Sequence, residues 1–213
     1  MAVSTSRDHF DYTTEFAAVE APAVELVAGL SKLRGFKENY ALVVRDPVPV
    51  DNENTGLVVV YSFGNSAWTI IDPILSRLIN LGAIYQATEE LNTQALSACF
   101  CRNTGAFGYS HVKNGMTVED FCCTEPDFHQ YSPDEARQNG WQLDSGGYRR
   151  LKTNRQLDVD LDITPGFSLL SALSDELGLE IPAVLNWDVQ NGKFTIDSEQ
   201  PLAISSAYLL HLS

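Results

Sequence analysis

The chain has 213 residues, 44% of them apolar, and 28 acidic against 14 basic groups, for a formal net charge of −14. That length can bury a full hydrophobic core without staples, and the apolar share argues against disorder. A field of this sign repels nucleic-acid phosphates and anionic lipid, so it argues against a nucleic-acid binder or a membrane-surface protein and fits a basic protein partner or simple solubility.

Residues 1–15 are polar and read as an N-terminal arm. A helix is expected from Pro22, whose missing N–H is harmless in a first turn, with Val24, Val27, Leu30 and Leu33 at helical spacing and Gly35 as its stop. Tyr40 to Val44 reads as a strand, and Arg45 to Gly56, rich in Pro, Asp and Asn, as a loop. Three tight-turn signals follow: Gly64-Asn65, Asn114-Gly115 and Asn191-Gly192, each between strand-like runs. Gly and Asn tolerate the positive φ that a two-residue hairpin demands. The last turn pairs Val189 with Phe194 and Trp187 with Ile196.

Between the hairpins, Asp72-Pro73 has the form of a cap and first turn for a helix toward Leu81, with a second helix at Ile84 to about Asn92. Thr164-Pro165 repeats the device before Leu169, Leu170, Leu173 and Leu177, ending at Gly178. Residues 124–147 show no clear period and read as a long loop with one helical turn at Pro133 to Gln138. Leu202 to Leu212 closes the chain as a strand. The expected class is α+β: an antiparallel sheet built from β-hairpins with a few helices packed on one face, forming a single domain over 16–213. No secretory leader or membrane span is visible, so the expectation is a cytoplasmic protein.

The cysteines are Cys99, Cys101, Cys122 and Cys123. Ala95 to Arg102 is expected to pair with the strand beginning at Phe107. The Asn114-Gly115 turn then sets Cys122 opposite Phe107 and His111 opposite Val118. The two cysteine pairs fall two strands apart, roughly 10 Å, whereas a disulfide needs Cα atoms within about 7 Å. Cys-x-Cys and an adjacent Cys-Cys are also not the spaced pairs that wrap zinc, so no metal and no cofactor is expected. A thiol nucleophile needs a base within reach. His111 lies too far from Cys122 in this register, which leaves His129 in the long loop as the base for an enzyme built on Cys122 or Cys123.

Asp158, Asp160 and Asp162 alternate with apolar residues and put three carboxylates on one strand face. They sit about 7 Å apart, too wide for one ion. Arg149, Arg150, Lys152 and Arg155 form the one basic cluster, which neutralises its acidic neighbours. Walker, dinucleotide, nucleophile-elbow and zinc-protease motifs are missing. Trp141 and Tyr131 stand in the polar loop, where aromatic side chains make contact hot spots. The reading is a non-catalytic acidic interaction module, a regulator or toxin-neutralising protein, that meets a basic partner through 119–144 (seven acidic groups, one basic) and 158–162. The small Cys/His-dependent enzyme is its rival.

Overall fold

The computed structural model describes residues 3–5, 13–34, 39–41, 48–49, 57–64, 66–73, 81–101, 106–124, 132–144, 147–153, 166–179, 186–190, 193–197 and 204–211. They form an α+β fold with a mostly-sheet core. The strands are β1 (Val3–Thr5), β2 (Thr13–Val19), β3 (Asn39–Ala41), β4 (Val48–Pro49), β5 (Leu57–Phe63), β6 (Thr69–Pro73), β7 (Gln94–Cys101), β8 (Ala106–Lys113), β9 (Met116–Thr124), β10 (Gln142–Asp144), β11 (Gly147–Thr153), β12 (Asn186–Gln190), β13 (Lys193–Asp197) and β14 (Ile204–His211). The helices are α1 (Ala23–Arg34), α2 (Leu81–Glu90), α3 (Pro133–Gln138) and α4 (Gly166–Leu177).

Ten strands form one antiparallel sheet in the order β10-β11-β9-β8-β7-β2-β6-β5-β14-β3, and four form a second in the order β1-β12-β13-β4. In the smaller sheet Val189 pairs with Phe194 and Trp187 with Ile196, as the two-residue turn requires. In the larger one the strand holding Cys99 and Cys101 pairs with the strand holding Phe107, as expected, with Cys101 opposite Ala106 and Phe100 opposite Phe107.

α1 and α2 pack together over the middle of the large sheet. Leu26, Val27 and Leu30 of α1 and Ala83, Ile84 and Ala87 of α2 meet Ala17, Val19, Val58, Val60, Ile71, Ala95 and Leu210 of the strands. The intervening side chains are buried as well: Ala18, Tyr61, Ile70 and Leu96 are at most 1% exposed. A sheet buried on both faces leaves no hydrophobic alternation along its strands. That explains why β2, which lies at the centre of the sheet, is not recognisable as a strand in the sequence. Its last residues, Ala17 to Val19, fall between that arm and the helix expected from Pro22, and Thr13 to Glu15 fall within the expected N-terminal arm.

Three further expectations differ. Asp72 and Pro73, expected to cap a helix, end β6, paired with Val59 and Val58; residues 74–80, where that helix is expected, lie outside the described residues. β2 accompanies β6 only as far as Ile71, so at Pro73 the strand has β5 alone beside it, an edge-like position where a missing N–H is tolerated. The turn at Gly64 is wider than two residues, since Ser62 pairs with Thr69. The long loop holds more structure than one helical turn. α3 occupies Pro133–Gln138, begun by a capping box in which Ser132 and Glu135 each satisfy the other's backbone N–H, and β10 adds Gln142–Asp144; residues 125–131 and 145–146 lie outside the described residues.

The register of β8 and β9 matters most. Lys113 pairs with Met116 and Val112 with Thr117, as the Asn114-Gly115 turn dictates. Then a β-bulge at Val118 puts Glu119, not Val118, opposite His111, and Cys123, not Cys122, opposite Phe107. One extra residue turns every later side chain of β9 to the other face. The cause is Phe121. In the bulged register it stacks on Tyr109 with ring centroids 5.7 Å apart, reaches Phe107 at 6.0 Å and is 1% exposed. Unbulged, that ring would oppose Gly108 on the face where Cys99 is exposed.

Candidate functional site

The bulge assembles two side-chain groups, one on each face of β7, β8, β9 and β11. The first is buried. Glu119 is fully shielded from solvent; the Tyr109 hydroxyl donates to its Oε1 at 2.8 Å and Thr153 Oγ1 donates to its Oε2 at 2.5 Å. His111, its cross-strand neighbour, lies 3.0 Å through Nε2 from Gln94 Oε1, and the Gln94 amide donates to Glu20 Oε2 at 3.0 Å. A carboxyl group taken wholly out of water survives only with such donors around it.

The second group lies on the opposite face. Cys99, Gly108, Cys122 and Arg150 form one cross-strand row over β7, β8, β9 and β11. Beside it, Asp120 on β9 accepts from Arg150 Nη2 at 3.3 Å. The guanidinium also lies over the Trp141 ring, 4.9 Å from its centroid, where the ring face attracts a cation. The Cys122 thiol is pushed up to about 11, chiefly by burial and then by the Asp120 charge, with Arg150 pulling the other way. Near neutral pH it therefore stays protonated and is a poor nucleophile.

Cys123 faces the other way, paired with Phe107 and Arg149. Cys99, Cys122 and Cys123 are all thiols, not disulfides. His129, Tyr131, Asp158, Asp160 and Asp162 lie outside the described residues. Of the residues singled out from the sequence, the structure thus brings Cys122 and Trp141 into one neighbourhood, joined through Arg150. No group of three or more His, Cys, Asp or Glu with metal-binding geometry occurs among the described residues, and no described helix is long and apolar enough to cross a membrane.

Around Trp141 the surface is acidic and partly apolar. Asp134 and Glu135 in the first turn of α3 are exposed, and Leu143 on β10 is 60% exposed. β10 is the end strand of the ten-stranded sheet, so its outer backbone edge is open in that sheet. The Ser132 side chain and backbone hold the Glu135 carboxyl below its usual range, which keeps the negative charge in place at the helix N-terminus.

Sequence reasoning missed Glu119, Gly108 and Arg150 as members of these groups. The signal was present in the spacing of Val118 and Phe121. Two core-forming residues three apart cannot share a face of a regular strand, and a bulge between them resolves the conflict. No protein-family model, no curated protein and no solved structure matches this chain.

Proposed function

We propose that this chain is a non-catalytic acidic interaction module that docks a basic protein partner, as a small regulator or toxin-neutralising protein does. The observation that carries the reading is Leu143, a large apolar side chain 60% exposed on the edge strand that follows α3, a helix whose first turn is exposed and acidic. An apolar contact rimmed by charge is the anatomy of a protein interface. The net charge of −14 adds long-range attraction for a cationic surface. Trp141 supplies an aromatic anchor, already stacked with Arg150. Tyr131, Asp158, Asp160 and Asp162, outside the described residues, are proposed as further partner contacts from their residue types alone.

The thiol enzyme is the weaker reading, because Cys122 carries a raised pKa where a nucleophile needs a depressed one. Affinity capture from native extract, with wild-type protein and with the Asp134→Lys/Glu135→Lys and Leu143→Asp variants, tests the proposal. Basic proteins retained by the wild type at low salt, and lost with either variant or at high salt, support it. Retention that ignores all three changes contradicts it.

A further inference from the structure

Gly108 separates two thiols that the strand order keeps apart but the missing side chain lets converge. A Cβ built on Gly108 would lie 3.3 Å from Cys122 Sγ and 3.8 Å from Cys99 Sγ. Both sulfurs therefore lean over the glycine, and their separation is less than those two distances combined. The same Cβ would stand 3.1 Å from the Phe121 carbonyl oxygen, so the position leaves no room for a methyl group without movement. The two thiols also influence one another electrically: the Cys99 charge is one of the causes that raise Cys122.

A direct disulfide does not fit, because Cys99 and Cys122 stand on strands two apart, about 10 Å between backbones. A bridging atom does fit. We propose that Cys99 and Cys122 form a two-thiolate clamp over Gly108 for a soft, two-coordinate d10 metal ion of the copper(I) class. A near-linear ion with metal–sulfur bonds of about 2.3 Å needs sulfurs about 4.6 Å apart, which these side chains reach by closing over the bare glycine. Soft thiolate ligands select such an ion. Zinc would want four ligands, and no third metal-binding group joins the pair among the described residues. Cys99 is exposed and Cys122 half-buried, so the ion enters from solvent on the Cys99 side.

Binding forms two metal–sulfur bonds and releases both thiol protons to solvent, so the bound unit carries a charge of −1. Arg150 is placed to offset it. It is the cross-strand neighbour of Cys122, and its buried Nε–H has no hydrogen-bond partner among the described residues. Proton release makes uptake weaken as pH falls.

The test is titration of the reduced, full-length protein with copper(I) against a colorimetric copper(I) chelator, with thiolate-to-copper absorption and Tm as further readouts. The wild type should take one equivalent, gain ultraviolet absorption and melt higher, since an ion that binds only the native state stabilises it. Cys99→Ser and Cys122→Ser should each abolish that uptake. Cys123→Ser, one residue away but on the other face, should retain it. Should Cys122→Ser fail to fold, Cys99→Ser at the exposed position decides the matter alone. Uptake that survives in Cys99→Ser, is lost in Cys123→Ser, or is missing from the wild type overturns the proposal.

Discussion

Glu119 stands directly across from His111, one residue out of step with the turn that joins their strands. That offset puts a carboxyl group in the interior and turns Cys122 onto the face of Gly108 and Cys99. It also moves Phe121 into the aromatic core. Deleting Val118 would remove the extra residue and leave a regular ladder, with Glu119 still opposite His111 and Phe121 still opposite Tyr109. The expected result is a protein that keeps a cooperative thermal transition. Phe121→Ala, which removes the ring that draws β9 into this register, should lose about 3–5 kcal/mol in chemical denaturation. A Val118 deletion without a cooperative transition would show that the fold requires the bulge itself and not only the placement of Phe121.

Tyr109→Phe removes one hydrogen-bond donor from a carboxyl group that water does not reach. The expected loss is about 1–3 kcal/mol of unfolding free energy, the cost of leaving a buried acceptor short of a partner. Urea denaturation of the two proteins measures it. An unchanged midpoint would show that Thr153 and the remaining neighbours satisfy Glu119 without the hydroxyl.

Alkaline pH should destabilise the fold through Cys122. Its thiol titrates at about 11 in the native state against 9.0 normally. Below pH 9 both states hold the proton and the contribution is complete. Between about 9 and 11 the unfolded chain releases its proton and the native one does not, so stability falls as pH rises. The loss is at most about 2–3 kcal/mol, less whatever solvent screening removes. Cys122→Ser should flatten this part of the pH–stability curve. At neutral pH Cys122 should also react more slowly with iodoacetamide than Cys99, which peptide mass mapping resolves.

The capping box of α3 makes a local prediction. Ser132→Ala removes the hydroxyl that donates to Glu135 at 2.6 Å. The Glu135 carboxyl should then titrate higher, back toward 4.5. Because the lowered value favours the capped helix only while the carboxyl is ionised, the benefit exists above that range and disappears as pH falls through it. Side-chain carbonyl NMR follows the titration. An unmoved Glu135 would place the cause in the backbone N–H of residue 132 and not in the hydroxyl.

How much of this was legible in the sequence depends on how local its cause is. The pairing of Trp187 with Ile196 follows from a two-residue Asn-Gly turn and needs nothing else. α3 is readable because Pro, Asp and Glu follow a serine cap within four residues. The β8–β9 register is readable only as far as Thr117. Beyond it, packing of Phe121 overrides the turn, and that packing involves Phe107 and Tyr109 on another strand. β2 escapes notice for a related reason: Ala17, Ala18 and Val19 are all buried, so no alternation marks its end. In the candidate site, Cys122 and Trp141 are conspicuous as residue types. Arg150, which joins them, looks like a surface charge until the strands are set side by side.

The central claim is that this surface attracts a basic protein. It is tested most directly by the association rate of the captured partner, measured by stopped flow across a salt series. Docking at α3 and β10 predicts a rate that drops steeply as salt screens the charges, and that drops at low salt when Asp134 and Glu135 are reversed to lysine. A rate indifferent to salt and to that charge reversal would contradict it.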